Sequence, residues 1–224
     1  MKTENNNRLP GILYLCMILF GMFAQIIRSN IFVFNDSINT LENFQSSLFI
    51  LRLAFISDLL MTVFYLLTAW SLFNLLKQIN KNQSLLFLLL TVVSVAILSM
   101  NMINHIAIIE INNANYLNIN NFGIILLSQF LANLHTYGYL ISQLFFGLWL
   151  LPLGVIILKS KIMPTYFGIM LIAATFGHLI EIFTTFLFPG NDFITYPGLL
   201  IAMLGEFSFC FWLIYKGINV KINN

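Results

Sequence analysis

The stretch LLMTVFYLLTAWSLFNLLKQINKNQSLLFLLLTVVSVAIL, residues 59–98, decides the fold. Its only charges, Lys77 and Lys81, stand in a short polar link between two uninterrupted apolar runs. About 20 apolar residues wound as a helix cross a hydrocarbon layer of about 30 Å. Lipid offers no hydrogen bonds, so a chain inside it must satisfy its own backbone, and a helix does so within one segment. Working outward, the same pattern predicts spans at residues 10–28, 48–76, 84–111, 135–158, 165–188 and 196–215. Residues 122–134 carry the fourth apolar region beyond one bilayer width and read as an outer-surface helix or a tilted extension, with a re-entrant piece as the alternative. The expected fold is all-α: one domain over residues 1–224, a bundle of about six transmembrane helices.

Composition points the same way. Hydrophobic residues make up 59% of the chain and charged residues 8%, whereas a soluble domain carries about 25% charged residues to meet water. The mean hydropathy is +0.90. A net charge of +2 without a Lys/Arg cluster excludes a nucleic-acid surface. Cys16 and Cys210 fall inside apolar runs and have neither disulfide-framework nor zinc-finger spacing, so they read as buried thiols.

The lysines orient the bundle. Lys2 and Arg8 precede the first span, Lys77 and Lys81 link spans two and three, Lys159 and Lys161 link four and five, and Lys216 and Lys221 follow the sixth. In an even-numbered bundle these four regions share one side, the cytoplasmic side by the positive-inside rule. The opposite loops, residues 29–47 among them, hold Asp36, Glu42 and Asp192 and no Lys or Arg. The expectation is a multi-pass plasma-membrane protein with both termini in the cytoplasm. Trp70 and Trp212 fit an interfacial aromatic belt, and Ala173 with Gly177 forms a small-xxx-small pair that lets another helix come close.

Function is sought in the polar residues that such a bundle must bury. An ionisable group near the middle of a membrane helix costs about 2.5–3.5 kcal/mol on insertion scales, so Asp58, Glu181 and Glu206 must be paired, protonated or hydrated. Counting about 1.5 Å per residue from the lysine ends puts Asp58 and Glu206 near the midplane. The same count puts Arg28, Arg52, His105, His135, His178 and Glu181 nearer the outer surface. Helical spacing gathers them into stripes: Ser94, Asn101, His105 and Asn112; Ser128, His135 and Ser142; His178, Glu181 and Thr185; Asp58, Thr62 and Tyr65; Gly21, Gln25 and Arg28. A polar cavity towards the outer side explains them together, lined by Arg28, Arg52, Asp58, Asn101, His105, His135, Tyr137, Glu181 and Glu206. Taken singly the same residues read more plainly: Arg28 and Glu110 as snorkelling helix ends, Arg52 as a partner of Glu42 or of a buried carboxylate, each histidine as an interhelical hydrogen-bond partner.

Several stretches resemble domain-of-unknown-function family 4386 of small bacterial membrane proteins. They are Arg52-Leu-Ala-Phe-Ile-Ser-Asp58, Asn104-His105, Leu134-His135-Thr-Tyr137-Gly138-Tyr139, Phe145-Phe146-Gly147, Pro164 with Gly168, Gly205-Glu206-Phe-Ser208, Trp212-Leu213 and Lys216-Gly217. The resemblance implies a polytopic protein of the bacterial inner membrane with no established activity, and it covers Arg52, Asp58, His105, His135 and Glu206. His178 departs from its pattern.

The functional expectation is a protein that binds or moves a lipid or small amphiphilic molecule, with membrane lipid as its surroundings and Asp58 and Glu206 as proton-coupling groups. The alternatives are a metal-dependent, hydrolase-like membrane enzyme and a structural or regulatory protein. For the enzyme, zinc or another divalent metal would sit on His105 and His135 with His178 or Glu181. Haem on His105 and His135 is the weaker cofactor reading, since no CxxCH motif is present. The sequence sets no oligomeric state.

Overall fold

Three of the helices, the first, third and fourth, begin where an asparagine side chain completes their backbone bonding. In a computed structural model, which describes residues 7–31, 37–113, 120–160 and 162–218, six helices follow in order: α1 Leu9–Ile31, α2 Ser37–Leu76, α3 Lys81–Asn113, α4 Asn121–Ser160, α5 Thr165–Leu187 and α6 Asp192–Tyr215. The asparagines between the apolar runs act at the helix starts. Asn7 Oδ1 accepts from the Leu9 amide at 3.0 Å, Asn80 Oδ1 from Gln83 at 3.1 Å, and Asn120 Oδ1 from Gly123 at 2.9 Å; each fills an amide that a helix start leaves unbonded. After α6, Gly217 (φ 68°) follows the cap residue Lys216 in the left-handed conformation that ends a helix with little strain, while Gly190 (φ 83°) serves the turn after α5 that the Asn191 amide closes on the Phe188 carbonyl at 3.2 Å.

All six helices are long and apolar enough to cross a membrane, and no strand occurs among the described residues. Large apolar side chains face outward along them, among them Phe49, Met100, Phe130, Phe176 and Leu204. In water such a surface would aggregate; in lipid it is the ordinary exterior. The link at residues 77–80 and the link before α5 are short, as the sequence predicts.

Two elements differ from their expected outlines. The helical backbone of α2 begins at Ser37, inside the expected outer loop, and bends at Ser47 (φ −119°, ψ 16°) before the apolar span. Residues 122–134 are the first third of α4, a single helix of 40 residues. At 1.5 Å per residue it is about 60 Å long, twice the hydrocarbon thickness. Nothing separates the extension from the span, and its inner face is buried: Ile125, Ser128 and Ala132 are each under 9% exposed.

The chain forms two compact units, and α1 to α4 each contribute to both. The first takes residues 1–15, 64–95 and 140–224. Its core is aromatic: Trp149 is fully buried, with the rings of Tyr65 at 5.3 Å, Tyr14 at 6.0 Å and Phe87 at 6.3 Å, all edge-on. Residues near the two ends of the described chain meet here, since Asn7 and Ile218 exchange two backbone hydrogen bonds of 3.3 and 3.1 Å. The second unit takes residues 16–63 and 96–139. Its core is aliphatic, with Ile31, Leu51, Ile108, Ile109 and Ala132 buried together.

Candidate functional site

The buried polar stripes become rungs between neighbouring helices. Ser94 and Ser142 bring their hydroxyls to 2.8 Å and Ser142 donates to the Ser94 carbonyl at 2.9 Å; Asn101 Nδ2 donates to the His135 carbonyl at 2.8 Å; Asn112 Nδ2 donates to the Ser128 hydroxyl at 2.8 Å. Within the second unit, the positions descend on α3 as they climb on α4, as antiparallel segments require. Gly138 makes the middle rung fit: a Cβ there would stand 2.1 Å from Asn101 Oδ1. Such bonds are worth about 0.6 kcal/mol each in membrane proteins, so they align helices more than they hold them.

In the second unit the stripes close on Asp58. Its carboxylate is fully buried and receives Arg28 Nη1 on Oδ2 and the Tyr139 hydroxyl, at 2.6 Å, on Oδ1. Arg28 turns inward rather than snorkelling: its guanidinium lies 4.9 Å over the Tyr139 ring and gives a further hydrogen bond of 2.9 Å to Gln25. His105 and His135 lie edge to face, ring centres 5.4 Å apart, and His105 Nδ1 is 3.9 Å from Asp58 Oδ2. One ligating atom from each of Asp58, His105 and His135 falls within 4.8 Å of the other two.

In the first unit a different chain of hydrogen bonds runs through Glu206. Tyr14 donates its hydroxyl to Oε2 at 2.7 Å and His178 meets Oε1 through Nε2 at 2.8 Å. Gln143 Nε2 contacts His178 Nδ1 at 3.0 Å and also donates to Glu181 Oε2. The amide therefore donates twice, the imidazole accepts at Nδ1 and donates at Nε2, and both carboxylates accept. Small residues bring the helices close enough. A Cβ on Gly147 would meet that of His178 at 2.7 Å, and one on Gly177 would meet the Gly198 carbonyl at 2.3 Å. The close seam of α5 runs through Ala174 and Gly177, both buried, with Ala173 only half-buried beside it.

The expected cavity residues thus divide. Arg28, Asp58, Asn101, His105 and His135 come together in one unit; Glu181, Glu206 and His178 come together in the other. Of the expected metal ligands, His105 and His135 lie with Asp58 in one unit, and His178 and Glu181 are bridged by Gln143 in the other. Arg52 is exposed on α2 and outside both groups, and Glu42, its suggested partner, lies outside the residues whose side chains are described. Glu110 is exposed. Tyr137 is 46% exposed and the partner of Asp58 is Tyr139. Helical phase could have found it, since Tyr139 is four residues from His135 and Tyr137 only two. Tyr14 falls on none of the polar stripes, and Gln143 is only the chain neighbour of Ser142.

The first unit also has an open cleft of about 300 Å³ whose walls include Leu9, Leu13, Leu67 and Trp70, with Asn7 and Asn74 as polar lining. Lys77 stands beside it, Nζ 2.9 Å from Asn74 Oδ1.

Comparison with known proteins adds no activity. The family model described as Domain of unknown function (DUF4386) matches residues 9–217. An uncharacterized protein of Archaeoglobus fulgidus is 31% identical over 77 residues, which are 34% of this chain and 44% of that relative, less than half its length. No solved structure matches the chain.

Proposed function

The chain belongs to the family described as Domain of unknown function (DUF4386), and from that premise we propose that it binds or moves a small amphiphilic molecule carrying positive charge, in exchange for protons. The observation that carries this reading is the charge of the Glu206 group. Glu181 and Glu206 are joined through Gln143 and His178, and the described Lys and Arg residues of that unit, Arg8, Lys77, Lys81, Lys159 and Lys216, all stand at helix ends. Two carboxylates at membrane depth without a fixed cation require either protons or a bound cation. A group that accepts one or the other exchanges them, which is the elementary step of proton-coupled transport.

The surroundings suit an organic cation. Phe146 lies 5.2 Å from His178, and Tyr14, hydrogen-bonded to Glu206, contacts Trp149 and Phe209 edge-on; aromatic faces attract cations and tolerate apolar bodies. The cleft beside Lys77 offers an apolar wall of the kind an amphiphile or a lipid chain covers. We take the lysine-bearing face as cytoplasmic and the membrane as the bacterial inner membrane, following the distribution of Lys and Arg.

Tetraphenylphosphonium is a suitable probe. Detergent-purified protein is expected to bind it saturably, to bind it less as the pH falls, and to release protons on binding. Glu206→Gln should weaken binding roughly ten-fold or more, since removing a carboxylate about 6 Å from the cation loses about 2–3 kcal/mol at an effective dielectric of about 20. Absence of saturable binding by the wild-type protein, or binding indifferent to both Glu206→Gln and Glu181→Gln, refutes the reading.

A further inference from the structure

The histidines of the second unit are held in a way that the carrier reading does not use. His105 is fully buried and His135 is 3% exposed. His105 Nε2 lies 3.0 Å from the Leu51 carbonyl, and His135 Nδ1 lies 3.4 Å from the Asn101 carbonyl. A carbonyl only accepts, so each of these nitrogens carries the ring proton. The other nitrogen of each neutral ring, His105 Nδ1 and His135 Nε2, then presents a lone pair. Both of those atoms are buried and have no hydrogen-bond partner among the described residues. A buried acceptor left unmet costs about 1–3 kcal/mol, and here two stand beside one carboxylate.

We propose that Asp58, His105 and His135 form a binding site for a divalent cation of the zinc class. Two neutral imidazoles and a carboxylate are a common protein donor set for zinc with an open fourth position. Fixing the tautomer of a ligating histidine by a backbone carbonyl on its far nitrogen is the usual outer support of such a site. The three residues come from α2, α3 and α4, so the site also ties those helices together. Bonds of about 2.0–2.2 Å in a tetrahedron place ligand atoms about 3.3–3.6 Å apart. One ligating atom of each residue already lies within 4.8 Å of the other two, and His105 Nδ1 lies 3.9 Å from Asp58 Oδ2, so a shift of about an ångström reaches that spacing.

Arg28 shapes what this site accepts. Its guanidinium already holds Asp58 Oδ2, so a dication must share that carboxylate or displace the arginine towards Gln25. With one carboxylate against a dication and a guanidinium the site carries an excess of positive charge, so the fourth ligand that best offsets it is an anion: hydroxide, a carboxylate or a phosphate. Arg28 and the Tyr139 hydroxyl stand on the Asp58 side to receive it.

Cobalt(II) is the direct probe, because a tetrahedral nitrogen–oxygen site colours it. Titration of the full-length protein in detergent should give a visible band saturating at one cobalt per chain, which zinc erases. His105→Asn and His135→Asn should each weaken cobalt binding by more than about 100-fold, beyond the roughly 10–100-fold cost of losing only an outer-shell partner. Glu110→Gln, an exposed carboxylate of α3, should leave the titration unchanged. Arg28→Met should tighten binding roughly ten-fold or more, since it removes a like charge a few ångströms from the ion. A merely structural role for Arg28 would not move it in that direction. Wild-type protein that shows no cobalt band and retains no stoichiometric zinc overturns the site and leaves the lone pairs to water. So does full-affinity binding by both histidine variants. Neither result bears on phosphonium binding, which reads the other unit.

Discussion

Arg28→Met is the most informative single substitution. The pair it breaks is buried on both sides, the side chains of Arg28 and Asp58 being 7% and 0% exposed. Two independent scales set the magnitude. Leaving an uncompensated aspartate at membrane depth costs about 2.5–3.5 kcal/mol on insertion scales. Removing one partner of a buried pair costs about 3–5 kcal/mol in proteins generally. Both place the loss at about 3 kcal/mol, roughly a hundred-fold in the folding equilibrium. Met keeps much of the apolar stem, so packing contributes little to the difference. Reversible unfolding in mixed dodecylmaltoside–SDS micelles, followed by near-ultraviolet circular dichroism, measures it. Arg28→Met/Asp58→Asn is the decisive companion: it removes both charges while leaving an acceptor for the Tyr139 hydroxyl, and it should be more stable than Arg28→Met alone by about 2 kcal/mol. If Arg28→Met stays within about 0.5 kcal/mol of wild type, the range of surface changes, the pair is not buried as described. A double variant no more stable than the single one refutes the charge argument itself.

Other expectations follow from the packing. Trp149→Ala should cost about 3–5 kcal/mol in the same assay, because it empties the aromatic core around a fully buried ring; Trp70→Ala, at a 54% exposed ring, should cost far less. Gly177→Ala should cost about 1–3 kcal/mol as an overpacking change, its Cβ meeting the Gly198 carbonyl at 2.3 Å, and phosphonium binding should fall with it if the α5–α6 seam sets the His178–Glu206 contact. Ser142→Ala should cost about 0.6 kcal/mol, the average membrane hydrogen bond; a loss above about 2 kcal/mol would show that the serine rung is a keystone rather than an alignment device.

The helices themselves were legible from residues 59–98 outward, because a hydrocarbon layer forbids most alternatives. So were the stripes: Ser94, Asn101 and Asn112 on one helix, and Ser128, His135 and Ser142 on another, recur at spacings of a shared helix face, though they read as cavity lining and the structure pairs them as rungs. Partner choice was less legible. Counting residues gives depth along a helix axis and says nothing about which stripe meets which. His105, His135, His178 and Glu181 all scored as outer-half groups, yet His105 and His135 attend Asp58 while His178 attends Glu206. Arg28 was ambiguous because a residue at the end of a span reaches water or a buried acid equally well, and burial of Asp58 settled it inward. Tyr14 gave no signal, since one tyrosine in an apolar run looks like any other aromatic.

The bond between Asn7 and Ile218 carries a consequence for how the chain is made. Tyr14 waits for Glu206, 192 residues later. At synthesis rates of about 5–20 residues per second, α1 spends roughly 10–40 seconds in the membrane before α6 exists to meet it. For that interval its tyrosine hydroxyl has only transient company, in lipid or against the insertion machinery. Arg28 of α1 can meet Asp58 of α2 early, but a ribosome that stops before α6 leaves Tyr14 without its acceptor.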